Sequence, residues 1–151
     1  MSRGRASPGA LFVNLLGGFE VAAPQPHDLL ILERKKTRAL LAVLALDSAR
    51  AVPRGRLTAL LWAEQSEDAA RHALRQCLLD LRQALTKANI AAIRAEADLI
   101  GLEPSMVVVD AICFERKIAQ GTPEALEEAV ALYRGDLLEG FSLLEERAFE
   151  N

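Results

Sequence analysis

The stretch Ala70–Leu85, "ARHALRQCLLDLRQAL", gathers side chains that can donate hydrogen bonds: Arg71, Arg75 and Arg82, with His72, Gln76 and Gln83. A guanidinium can donate two bonds to the O6 and N7 of guanine, and a Gln amide can pair bidentately with adenine. Spacing decides whether they can act together. At 100° per residue with Arg71 at 0°, Leu74, Leu78, Leu81 and Leu85 fall between about 280° and 340°. The three arginines fall between about 0° and 40°, and His72, Gln83 and Gln76 between about 100° and 140°. Leu79, near about 80°, is an apolar residue inside the polar strip. One face is a leucine seam and its neighbour is a donor-rich strip. Arg71, His72, Arg75, Gln76, Leu79, Arg82 and Gln83 are therefore the candidate base contacts, with Leu79 facing a thymine methyl. The plainer reading of such a strip is a solvated helix face, with Arg75 and Arg82 laying their stems over the leucines. The elements around it decide between the two.

Residues 10–33 read as short strands, "ALFVNLL", "FEV" and "LLIL", separated by Gly17-Gly18 and a Pro-rich turn, which suits a small antiparallel meander. From Arg34 the period becomes helical through "RKKTRALLAVLALDSA". "RAVP" interrupts it, and Pro53 suits the first turn of a second short helix, "RGRLTALLW". Ser66 or Asp68 can cap the third. "IAAIRAEADLIGL" reads as a β-hairpin with "AEAD" as its loop. The order strands, helix, helix, helix, hairpin is the layout of a winged helix, in which the third helix enters the major groove and the hairpin lies beside it. Beyond "MVVVD" the chain turns helical: "AICFERKIAQ" stops at Gly121, and "TPEALEEAVALY" opens with a cap-Pro-Glu start. "SLLEERAFEN" reads as the beginning of another helix, as in a fragment of a longer chain.

Charge follows the same division. Residues 1–87 hold 13 Lys+Arg and 8 Asp+Glu, a net of +5, whereas residues 88–151 hold 5 and 13, a net of −8. Lys35, Lys36 and Arg38 stand in the first turn of their helix, where the macrodipole disfavours cations and a bound phosphate would offset this. Arg54 and Arg56 open the second helix in the same way, and Arg94 lies on the hairpin. These six are the candidate phosphate contacts.

Other chemistry is poorly supplied. The two cysteines, Cys77 and Cys113, form no Cys-x-x-Cys pair, so no metal site is expected, and Cys77 among leucines reads as a small core residue. His27 and His72 are the only bases near neutrality, and neither has a nearby nucleophile in sequence. Gly17-Gly18 lacks a P-loop lysine. No catalytic residue and no cofactor is expected. The apolar run "ALFVNLLGG" is too short to span a membrane and lacks a cleavage site, so a cytoplasmic, nucleoid-associated protein is expected.

The ordered set "LLGGFEV", "TRALLAVLAL", "LTALLW", "ARHALRQCLLDLRQAL", "VVVDAICFE" and "LYRGDLLEGF" resembles SARP-type regulators, the Streptomyces antibiotic regulatory protein family. The likeness runs from about residue 11 onward. It implies an α+β chain: a disordered tail at 1–9, an OmpR-type winged-helix DNA-binding domain at 10–103 with an N-terminal antiparallel sheet, and at 105–151 the first part of a helical, tetratricopeptide-like bacterial transcriptional activator domain. The partners implied are double-stranded promoter DNA, often as direct repeats that a homodimer would suit, and RNA polymerase, which the loop Ala63–Asp68 can face. In "LYRGDLLEGF" the Asp and Gly read as turn chemistry, and the leucines and Phe141 as packing. Leu79 and Asp80 depart from the polar or basic residues more usual there. Asp80 would repel phosphate unless it faces away or accepts from a cytosine amino group. The rival reading is a winged-helix interaction or scaffold module that does not bind DNA.

Overall fold

Two small sheets and a set of helices share one apolar core. The computed structural model describes residues 10–23, 29–47 and 50–140; the N-terminal tail, His27, Phe141 and the last helical start lie outside them. In chain order the elements are β1 (Leu11–Asn14), β2 (Glu20–Ala22), α1 (Lys35–Leu46), β3 (Val52–Pro53), α2 (Arg54–Leu61), α3 (Glu67–Lys87), β4 (Ile93–Glu96), β5 (Leu99–Leu102), β6 (Val107–Val109), α4 (Asp110–Gln120) and α5 (Pro123–Leu132). The class is α+β.

The first sheet has the order β2-β1-β6. β1 and β2 run antiparallel with Val13 opposite Val21, while β6 joins β1 in parallel with Val108 beside Phe12. The sheet is therefore mixed, not antiparallel as expected. A strand that arrives so far along the chain leaves no turn signature, so its pairing is invisible in the sequence. The expected strand "LLIL" is likewise reduced to a single bridge, Leu29 to Ala22; Leu32 is buried there and Ile31 is exposed.

The second sheet, β3-β5-β4, carries the expected hairpin, with Ala95 opposite Ile100 and the two-residue turn at Ala97-Asp98. Ala97 sits at φ 53°, a region that disfavours a Cβ. Pro53 belongs to β3 and stands at the N-cap of α2 rather than inside it. The next residue's N–H goes to the hairpin turn instead: Arg54 N donates to Asp98 O at 2.8 Å.

Helix α1 supplies the centre of the core, with Leu40, Leu41 and Leu44 buried against leucines of the other two helices. Its N-terminal cations have partners within the fold. Lys36 Nζ donates to the Leu61 carbonyl at the end of α2 and lies 5.8 Å from the Trp62 ring centroid. Arg38 donates to the carbonyls of Leu32 at 2.7 Å and Glu33 at 3.1 Å.

The second segment is joined closely to the first. Asp110 begins α4, and its carboxylate accepts from Leu15 N at 2.7 Å and Leu16 N at 3.0 Å. After α5 the chain returns to the end of β1, where Leu138 N donates to Leu15 O at 2.6 Å and Gly17 N to Asp136 O at 2.9 Å. Gly17 is needed there: its φ is 90°, and a Cβ would meet the Arg134 carbonyl oxygen at 2.9 Å. "LYRGDLLEG" thus lies against the first sheet through Leu137 and Leu138.

Candidate nucleic-acid interface

Helix α3 is fixed at both ends by its own sequence. Ser66 is the N-cap, its Oγ accepting from Ala69 N at 3.2 Å, and Glu67 and Asp68 follow in the first turn, where the macrodipole favours anions. At the other end Asn89 adopts φ 60°, Ile90 N donates to Leu85 O and Asn89 N to Thr86 O, both at 2.9 Å. That is a Schellman stop with Asn in the left-handed position. Between them run 21 residues, about 31 Å of helix.

The inner face holds Ala70, Leu74, Cys77, Leu78, Leu81 and Leu85, all buried. Burial also pushes the Cys77 thiol above its ordinary range. Beside it the Thr37 side chain, 1% exposed, faces the Cys77 thiol and partly offsets that rise, but its hydroxyl makes no hydrogen bond of ordinary geometry among the described residues. The outer face carries Arg71, His72, Arg75, Gln76, Leu79, Arg82 and Gln83, and every one of them is exposed. Leucines enter the core because they face α1 and α2; the donors remain outside because no described element covers that side.

The outer cations differ in what holds them. Arg71 is taken by its own helix, with Asp68 at 3.0 Å and Glu67 at 3.6 Å. Arg75 and Arg82 have no ion pair or hydrogen bond to any described residue. Asp80 is turned to the flank next to α1, where it pairs with Arg34 at 3.3 Å. Of the two ways open to Asp80, the fold takes the first: its carboxylate is drawn away from the outer strip.

The phosphate candidates are dispersed. Lys35 and Arg56 are exposed, Arg54 is half-buried, and Arg94 is exposed and paired with Glu103 at 3.5 Å. Lys36 and Arg38 are half-buried and already donate to the carbonyls described above. Sequence reasoning overlooked Arg50 and Thr86. Arg50 is exposed and lines a groove with Arg94, Glu96 and Gly101 beside the hairpin. Thr86 is exposed one turn beyond Arg82. Thr86 was findable from the same helical wheel; Arg50 was not, because it lies between helices and owes its position to β3.

Among the described residues no group of three or more His, Cys, Asp or Glu could hold a metal ion, and no helix is long and apolar enough to cross a membrane. His72 is exposed.

The fold has a known counterpart. The chain is similar to the structure of Mycobacterium tuberculosis EmbR in complex with a low-affinity phosphopeptide, with a TM-score of 0.73 and 22% sequence identity over 87% of this chain. It spans 38% of that chain. The likeness is one of fold. No protein-family model and no curated protein matches the sequence.

Proposed function

We propose that this chain is a sequence-specific, double-stranded-DNA-binding transcriptional regulator of the SARP type. Its residues 10–103 act as an OmpR-type winged helix, with α3 in the major groove and the β4–β5 hairpin beside it. The observation that carries this reading is the outer face of α3: seven side chains suited to base edges, all exposed, with the guanidinia of Arg75 and Arg82 engaged by no described residue. Base contacts are assigned to Arg71, His72, Arg75, Gln76, Leu79, Arg82 and Gln83. Phosphate contacts are assigned to Lys35, Arg54, Arg56 and Arg94, with Lys36 and Arg38, which already donate to carbonyls of the fold, adding their charge. Residues 105–151 form the start of the tetratricopeptide-like activator segment. The exposed, acidic stretch Ala63–Asp68, the connection into α3 with the helix's first two residues, is the surface offered to RNA polymerase, and a homodimer on repeated promoter sites in the bacterial cytoplasm completes the reading.

The test is DNA affinity against salt. Binding should fall steeply with salt, the slope growing by roughly 0.9 for each phosphate neutralised. Arg56→Ala should flatten that slope by about 1 on any duplex. Affinity that is absent at every salt concentration would refute the proposal.

One observation favours a second reading, a module that binds protein instead. Ile118, Leu126, Val130 and Tyr133 are exposed on α4 and α5, with Val130 73% open. The same titration separates the two, because such a scaffold has no DNA affinity to lose.

A further inference from the structure

We propose that Leu79 is the specificity determinant of α3, and that the recognised site carries a thymine methyl under the middle of the helix with a guanine on either side. This rests on the duplex-binding reading above and adds the chemistry of the sequence that is read. The exposed arc of α3 runs from Arg71 at 0° to Lys87 at about 160°, so its midline falls at about 80°, the direction of Leu79. Arginines occupy one side of that midline, and His72, Gln76 and Gln83 the other. A helix laid in the major groove brings its midline nearest the base edges and its margins nearest the two backbones. The residue that goes deepest is therefore apolar and 48% exposed before binding.

Such a side chain cannot repay the desolvation of a polar base edge. The C5 methyl of thymine is the apolar group the groove floor offers. Arg75 lies about 6 Å along the axis to one side of Leu79, and Arg82 about 4.5 Å to the other. With bases about 3.4 Å apart, each arginine reaches one to two steps from the methyl. Neither guanidinium is engaged by a described residue, whereas Arg71 is held by Glu67 and Asp68, which assigns guanine readout to the inner pair. Asp80, the acid nearest Leu79 in sequence, is held on the α1 flank by Arg34 and leaves the apex uncharged.

The experiment uses the 151-residue chain. Duplexes are selected from a random-sequence pool, and each thymine of the selected site is then replaced singly by deoxyuridine, which removes the C5 methyl alone. One position should weaken by about fourfold, the worth of one buried methyl-sized group. Leu79→Ala should bind the thymine and uracil forms of that site equally, with its helical circular dichroism unchanged because the side chain is outside the core. Guanines one to two steps away should lose their effect in Arg75→Ala and Arg82→Ala. Tight, salt-sensitive binding with no uracil-sensitive position overturns the inference and leaves DNA binding standing, as does Leu79→Ala that keeps the sensitivity. No duplex binding at any salt removes both.

Discussion

Replacing Asp110 should cost this chain a large part of its stability, although the residue lies far from the outer face of α3. Its carboxylate is 4% exposed and accepts two backbone N–H groups, from Leu15 at 2.7 Å and Leu16 at 3.0 Å. Hydrogen bonds to a charged acceptor are worth about 1.5–3 kcal/mol each, and a buried donor left without a partner costs about 1–3 kcal/mol. Asp110 also stands in the first turn of α4, where its charge adds about 0.3–1 kcal/mol. Against this stands the cost of burying the charge, which an alanine would relieve. Asp110→Ala orphans both amides, and the net loss should be about 3–5 kcal/mol. Asp110→Asn keeps one acceptor and turns an NH2 group toward the other amide, for a loss of about 2 kcal/mol. A domain of this kind has about 5–15 kcal/mol in all. Urea unfolding followed by circular dichroism gives the two values, and hydrogen exchange at Leu15 and Leu16 should accelerate in step. A loss below about 1 kcal/mol for Asp110→Ala would refute the view that this carboxylate joins α4 to β1.

Thr37→Val removes a buried hydroxyl that has no better partner among the described residues than the Cys77 sulfur, and should raise stability by about 1 kcal/mol in the same urea assay. Ala97→Gly relieves the left-handed backbone at the hairpin turn and should add about 1 kcal/mol, read as a higher urea midpoint with unchanged slope. Lys36→Met should lower stability by about 1 kcal/mol, since Lys36 holds the Leu61 carbonyl and the Trp62 face, and should flatten the salt slope of DNA binding by less than Arg56→Ala does. The Cys77 thiol should resist alkylation in a Cys113→Ala background until the chain is unfolded. Its raised pKa means the folded state holds the thiol proton more tightly. That contribution is complete below the ordinary thiol range and disappears as pH climbs through the raised value, so a melting series at alkaline pH should show the decline.

Much of the architecture was legible because local rules and tertiary packing agree. The leucine period of Leu74, Leu78, Leu81 and Leu85 gave the inner face of α3, Ser66 was one of the two caps its start offered, and Gly121 and Thr122-Pro123 gave the break between α4 and α5. What escaped is non-local. Val107–Val109 reads equally well as a strand or as the lead-in to a helix, and nothing in it names β1 as its partner. The arginines show the same limit. Periodicity places Arg75 and Arg82 outside, yet it cannot say that Lys36 and Arg38 spend donors on carbonyls 25 and 6 residues away, or that Arg34 takes Asp80.

The parallel placement of β6 bears on how this protein can be dissected. The boundary proposed on functional grounds falls between 103 and 105, but the strand just after it, β6, pairs along one side of β1. A chain ended at residue 103 would strip Leu11–Asn14 of that neighbour and of the returning Leu137-Leu138 segment, turning the middle strand into a bare apolar rim. Such a piece invites self-association, so the smallest dependable unit for biochemistry extends past α5, beyond the boundary that function alone would draw.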